Sequence, residues 1–240
     1  MIGIIGALEQ ELAFLRSFLI YPEKEFAGSF EFISGKLEGT DVVLLRSGIG
    51  KAQAAAGCAL LINRFKPELV INTGIAGGMD PALRIGDLVI ADSLLYHDVD
   101  VTALKFEPGQ IPGQSRIFAV PPELVEKAER AVAELKAEKI LDESVNCVRG
   151  LIGSGDTFIC DTVCMEKVKK AFPAIKAVEM ESAAIAHISA LFNVPALIIR
   201  SLSDMANTDS PAASRQFTAM AAKHSAEIVR RLLRRSNPWL

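Results

Sequence analysis

Short runs of β-branched and aliphatic residues alternate with amphipathic, helix-period stretches along almost the whole chain. That order restricts the fold more than any other property of the sequence. Ile2 to Ile5, Val42 to Leu45, Leu69 to Asn72, Gly86 to Asp92, Val148 to Ile152, Ile175 to Val178 and Val194 to Leu202 read as strands. Between most of them lie helical patterns, such as Leu12, Leu15 and Phe18 or Leu19, the alanine-rich run from Ala52 to Phe65, and a long closing helix from Pro211 to Arg235. Phe30 to Ser34 with Val42 to Leu45 adds a hairpin. The expectation is an α/β fold with a mixed, largely parallel central sheet flanked by helices. With 240 residues, half of them apolar, and no linker-like stretch in the middle, residues 1–240 are expected to form a single domain.

In such sheets ligands bind beyond the carboxyl ends of the strands. Here those ends carry the unusual residues: Gly6 to Glu11, Ser47 to Gly50, Thr73 to Gly78, Ser154 to Phe158, Glu179 to Glu181, and Ser203 with Asp204. Taken singly, each has an ordinary explanation. Glu11 falls in a first helical turn, where a carboxylate suits the dipole. Ser47-Gly-Ile-Gly-Lys51 can bring backbone amides to a ligand at a helix N-terminus, yet it is neither a P-loop nor a dinucleotide fingerprint. The glycines after Asn72 either turn the chain sharply or let the backbone pass close to another group. Convergence of six such ends on one rim favours a small-molecule site.

Charge on apolar elements points the same way. Glu179 and Glu181 flank Met180 ahead of an alanine-rich helix, while Arg200 and Asp204 belong to a strand of Ala, Leu and Ile. Buried charges are costly unless paired or put to use, so the choice is between a structural ion-pair network, with Arg200 against Glu181, and a working site.

Composition removes several classes of function. The balance of 26 basic and 29 acidic residues, with no block of either sign, gives no electrostatic footprint for nucleic acid. The arginines at 230, 231, 234 and 235 suit the negative end of the last helix. No apolar run is long enough for a membrane span, and Met1 to Ile5 lacks the pattern of a signal peptide. Cys58, Cys147, Cys160 and Cys164 are accordingly expected to be reduced thiols in a cytoplasmic protein. Cys160 and Cys164 are four apart but lack the further ligands of a metal site, so no metal is expected. The stretch from Tyr96 to Gly113 is too long for a simple connection and is expected to serve a site or an interface.

Several segments together, in order and nearly end to end, resemble the 5′-methylthioadenosine/S-adenosylhomocysteine nucleosidases, which have the purine nucleoside phosphorylase fold. They are Gly3-Ile-Ile-Gly-Ala-Leu-Glu-Gln-Glu11, Ser47-Gly-Ile-Gly-Lys51, Ile71-Asn-Thr-Gly-Ile-Ala-Gly-Gly78, Tyr96-His-Asp-Val-Asp-Val-Thr102, Ser154-Gly-Asp-Thr-Phe-Ile159, Val178-Glu-Met-Glu-Ser-Ala-Ala-Ile-Ala186 and Arg200-Ser-Leu-Ser-Asp204. The resemblance implies a cofactor-free, homodimeric hydrolase whose partners are a nucleoside and water and whose product is adenine. It implies Asp204 as the acid directed at purine N7, steadied by Ser203, and Glu11 as the base for the attacking water. Glu181 would accept hydrogen bonds from the ribose hydroxyls, Met180 would pack on the sugar, and Glu179 would be a supporting carboxylate. Arg200 would position the water and the ribose-binding acid. Phe158 would stack on adenine and the Ile159 backbone would read its edge, with Ile49, Ala76 and Gly77 completing the substrate-binding set. Val101, Leu104 and Pro112 match positions that cap the neighbouring subunit's substrate. His97, beside Asp98 and Asp100, invites either a catalytic or a structural role.

Three positions depart from the family pattern. Ile75 stands where many relatives have a serine, Leu104 where a phenylalanine is frequent, and Ser214 where an aromatic residue usually closes over the 5′ substituent, with Phe217 three residues on. Activity on aminodeoxyfutalosine, a phosphorolytic purine nucleoside reaction, and non-catalytic nucleoside binding are the alternatives. Keeping both Glu11 and Asp204 weighs against the last, since binding needs no acid–base pair.

Overall fold

The computed structural model describes residues 1–206 and 211–234, and the backbone alone for 211–216. Ten strands and six helices follow in order: β1 (Ile2–Gly6), α1 (Glu9–Arg16), β2 (Ile20–Ala27), β3 (Phe30–Leu37), β4 (Thr40–Arg46), α2 (Lys51–Phe65), β5 (Leu69–Gly78), β6 (Leu88–Tyr96), β7 (Phe118–Ala119), α3 (Pro122–Ala137), β8 (Cys147–Ser154), α4 (Thr162–Ala171), β9 (Ile175–Glu179), α5 (Ser182–Leu191), β10 (Ala196–Asp204) and α6 (Pro211–Leu233). The strands form one mixed sheet in the order β10-β6-β8-β9-β5-β1-β4-β3-β2, with β7 beside β6. Its centre, β4-β1-β5-β10, is parallel, and antiparallel pairings enter at β2, β3, β6, β7 and β9.

An additional pairing of β10 with β5 brings β5, β10, β6, β8 and β9 round into a closed ring. Within the ring β10 is buried along its whole length, which suits its opening apolar run from Ala196 to Ile199 and leaves Arg200 and Asp204 as buried charged groups. Helix α6 packs across β5 and β10 and against α1 and α3, while α2 and α5 pack on each other. A second, smaller hydrophobic cluster, including Met79, Leu95, Ile159, Phe172 and Val178, lies under α4.

Strand β5 changes neighbours along one edge, and this places the site. Leu69 to Asn72 pair with β1, whereas Gly77 and Gly78 pair with β9. Beta10 holds the other edge from Val70 to Gly77. Between the two partners, Thr73 to Ala76 face a gap in the ladder. The stretch from Thr73 to Gly78 therefore continues the strand, so of the two readings for its glycines, close approach is the one realised. A Cβ at Gly74 would lie 2.3 Å from both Arg200 Nη1 and Glu11 Oε1.

Two elements were not visible in the sequence. Helix α1 stops at Arg16 instead of reaching Leu19, and the exposed residues after it form the edge strand β2. Pro22 and the positive φ of 54° at Tyr21 interrupt the alternation that would have marked that strand. Strand β7 has only two residues and leaves no periodic trace. The segment expected to be a long functional connection holds a single 3₁₀ turn, Thr102–Leu104.

Gly74→Ala is expected to overpack the gap and cost about 1–3 kcal/mol. Thermal unfolding should show it as a fall of about 2–4 °C for each kcal/mol lost.

Candidate active site

A cavity enclosing about 710 Å³, mouth included, opens at the gap beside β5. Glu11, Ile49, Ala76, Gly77, Phe158, Ile159, Glu179, Met180, Glu181, Ser203 and Asp204 all line it. Eleven of the residues expected at the site thus come together from six separate strand ends. Ala7, Leu8, Thr157 and Val178 also line the cavity and were not singled out; they are apolar or neutral neighbours of motif residues, with no chemistry of their own to mark them. Ile75, noted as a departure, contributes as well.

Arg200 lies behind this wall, 1% exposed, at the register position facing Gly74. Its Nη2 donates to Glu179 Oε2, Asn72 Oδ1 and Ser182 Oγ, each at 2.7 Å. The expectation that a structural partner for Arg200 would be Glu181 is therefore corrected: Glu179 holds that position. Glu179 Oε2 also accepts from the backbone amides of Glu181 and Ser182 at 3.0 and 2.9 Å, and the Ser154 hydroxyl donates to Oε1. Side-chain direction decides this: β9 ends at Glu179, and Glu181 begins a different element as the residue capping α5. Asn72 belongs to β5, and its anchoring of Arg200 has no sequence signature beyond a polar residue in an apolar run. Arg200 Nε and Nη1 are buried without a protein acceptor among the described residues.

The carboxylates differ through their surroundings. Burial would raise Glu179, but Arg200, Ser154 and the two amides outweigh it and keep its pKa below the ordinary value. Burial, followed by the negative charge of Glu179, pushes Glu181 up to about 8. Glu181 Oε1 accepts from the Gly50 amide at 2.8 Å, so the Gly-x-Gly loop spends that amide on a protein carboxylate. Glu11 is 3% exposed; its Oε2 accepts from the amides of Ala7 and Leu8 at 2.6 and 2.9 Å, and its Oε1 from Ile75 at 3.0 Å. It therefore caps α1 and bridges the gap in β5 together. Burial raises its pKa in spite of Arg200 and those amides. Asp204, at 5% exposure, accepts from Ser203 Oγ at 2.8 Å and lies beside Gly77.

Phe158 is 51% exposed at the mouth, while Ile159 is buried in the smaller hydrophobic cluster. Val101, Leu104 and Pro112 do not line this cavity, and Leu104 is 67% exposed. The side chain of Ser214 lies outside the described residues. His97 is half-buried, its pKa lowered by partial burial; it packs against Gly155 and does not line the cavity. The four cysteines are free thiols, and no group of three metal-ligating side chains occurs among the described residues.

The family model of the phosphorylase superfamily matches residues 1–234. Within it, the chain is 47% identical over 231 residues to a 5′-methylthioadenosine/S-adenosylhomocysteine nucleosidase of Geobacillus thermodenitrificans, covering 96% of this chain and 95% of that one. The solved nucleosidase of Colwellia psychrerythraea 34H, in complex with adenine, superposes with a TM-score of 0.91 at 40% identity, over 97% and 93% of the two chains. The Neisseria meningitidis nucleosidase, in complex with methylthio-immucillin-A, gives 0.92 at 38% identity, over 97% and 98%. The chain belongs to the 5′-methylthioadenosine/S-adenosylhomocysteine nucleosidase family.

The raised pKa of Glu181 has a stability consequence. Between its ordinary value of 4.5 and about 8 the folded chain holds a proton that the unfolded chain has released, so this group's contribution falls as pH rises through that window. Glu181→Gln is expected to flatten the slope and to unfold at a higher temperature than wild type above pH 8. Thermal unfolding from pH 5 to 9 measures both effects, and parallel curves for the two proteins would contradict the assignment.

Proposed function

We propose that this chain is a single-domain N-glycosyl hydrolase that releases adenine from 5′-methylthioadenosine and S-adenosylhomocysteine. The observation that carries the reading is the meeting of Glu11 and Asp204 in one cavity with Glu181 between strand ends and Phe158 at the mouth. Hydrolysis of an N-glycosidic bond needs an acid on the base side and a base beside a water on the opposite ribose face. In this reading Asp204, held by Ser203, gives its proton to N7 as the bond to C1′ breaks. Phe158 covers the purine face and the Ile159 backbone meets its edge, with Ala76 and Gly77 forming the floor.

Glu181 receives the ribose hydroxyls, and Met180 and Ile49 pack on the sugar. Glu11 takes a proton from the water that adds to C1′. Burial raises its pKa above the ordinary carboxylate value, which makes it a stronger base than an exposed glutamate. The unpartnered Nε and Nη1 of Arg200 are donors suited to holding that water, because a buried water needs polar partners.

The cavity also argues for water over phosphate as the nucleophile. Glu11, Glu179, Glu181 and Asp204 line it, no lysine or arginine does among the described residues, and Ile75 brings no hydroxyl. A phosphate dianion would find no cationic side chain on this lining. Exposed Leu104, with Val101 and Pro112 on the same connection, supports a homodimer in which this loop caps the partner's open site. No helix among the described residues is long and apolar enough to cross a membrane, and we read the protein as cytoplasmic.

Product analysis on methylthioadenosine, adenosylhomocysteine, deoxyadenosine and aminodeoxyfutalosine, with and without phosphate, tests the function. Adenine release from the first two in phosphate-free buffer is expected, and a strict phosphate requirement would overturn the hydrolase reading. Asp204→Asn and Glu11→Gln are each expected to lower kcat by about 10²- to 10⁴-fold without loss of fold. Near-normal turnover in either variant would refute its assigned role.

A further inference from the structure

The stretch from Gly155 to Asp161, which carries Phe158 and Ile159, has neither strand nor helix structure. A segment without regular structure takes its place relative to the rest of a site from its tertiary anchors. Ile159 supplies one anchor by burial. The other lies upstream and is polar. Asp156 Oδ1 accepts from the Lys51 backbone amide at 2.8 Å. Helix α2 has Gly50 at its cap, with φ 94° and no capping side chain, so Asp156 caps it from a different part of the chain.

The other atoms of these residues close the arrangement. Lys51 Nζ donates to Asp98 Oδ1 and Oδ2 at 2.7 and 2.6 Å and lies 3.7 Å from Asp156 Oδ2. Asp98 Oδ2 in turn accepts from the Asp156 amide at 2.8 Å. Lys51 Nζ also sits 5.5 Å from the centre of the Tyr96 ring. Three loops are packed closely enough that added atoms would collide. A Cβ at Gly155 would fall 2.6 Å from His97 Nε2 and 2.9 Å from Asp98 Cγ, and one at Gly50 would fall 3.1 Å from Asp156 Oδ1.

The cluster lies outside the cavity, yet both of its ends reach into it. Gly50, next to Lys51, gives its amide to Glu181, and Asp156 precedes Phe158 by two residues. We propose that Lys51, Asp98 and Asp156 form a clamp that fixes the distance between the purine-stacking side of the site and its ribose-binding carboxylate. They are positioning residues, acting through Phe158 and Gly50, and the inference rests on the nucleosidase reading of the cavity. The clamp's consequence is selective. A ligand that spans both sides, a purine nucleoside, depends on the spacing, while free adenine occupies one side only. Lys51 and Asp98 are half-buried, so their ion pair is partly shielded from salt.

The experiment compares Lys51→Met, Asp98→Asn and the milder Asp156→Ala with wild type. Methylthioadenosine KM and kcat and inhibition by free adenine are measured for each. The expected result is a rise in KM of about tenfold for Lys51→Met and Asp98→Asn, the loss usual for a charge-assisted hydrogen bond. We expect kcat within about twofold of wild type and adenine inhibition little changed, with a Lys51→Met/Asp98→Asn double variant no worse than either single one, because both remove the same link. Lys51→Arg should restore part of the affinity. An unchanged KM, equal losses for nucleoside and adenine, or a fall confined to kcat would each overturn the clamp. Should Lys51→Met fail to fold, Asp156→Ala, which removes only the cap and one contact, decides by the same ratio. Wild-type adenine release tests the nucleosidase reading itself, and only the variant-to-wild-type ratios test the clamp.

Discussion

A guanidinium buried across a glycine holds this structure together at its working end. Arg200 projects from the middle of a fully buried strand, over the bare backbone of Gly74, and finds Glu179, Asn72 and Ser182 on the far side. An arginine so placed without its carboxylate would leave a buried charge uncompensated, at a cost of about 3–5 kcal/mol. The pair ties β10 to the end of β9, and Asn72 adds β5 and, through its bond to Ile5, β1. Four strands therefore keep their relative places through one polar cluster. The same cluster fixes the wall on which the other carboxylates stand.

Those carboxylates show how environment sets chemistry. Glu179 and Glu181 are two residues apart in the chain, yet one is held ionised by Arg200 and the other is pushed up to about 8 by burial and by Glu179 itself. Glu11, fed by three backbone amides, still has a raised pKa because burial outweighs them. Groups with the same ordinary pKa thus become an ion-pair anchor, a proposed ribose acceptor and a proposed base. The division depends on how far each is from Arg200 and how many donors it has, not on residue type.

Much of this was legible before the structure. Alternating strand and helix patterns located most elements, and the polar strand ends at Glu11, Glu179 to Glu181 and Asp204 marked the cavity, because residues that must meet a ligand break an apolar pattern visibly. What escaped notice was what breaks no pattern. Beta2 is an exposed edge strand interrupted by Pro22, and Ala7, Leu8, Thr157 and Val178 line the cavity as ordinary neighbours. That Glu179 and not Glu181 partners Arg200 is not legible in the sequence, because spacing along a chain does not state which way a side chain points at the end of a strand.

The sequence by itself determined the class of fold, the set of ionisable groups and their place at the ends of strands, since periodicity and composition are local properties. Only the tertiary structure decided which groups meet. That β5 exchanges β1 for β9 and opens a gap, that Glu11 bridges it, that Glu179 takes Arg200, and that Asp156 caps a helix more than a hundred residues earlier in the chain are outcomes of closing a sheet into a ring. They depend on distances between segments remote in sequence, which no local pattern encodes.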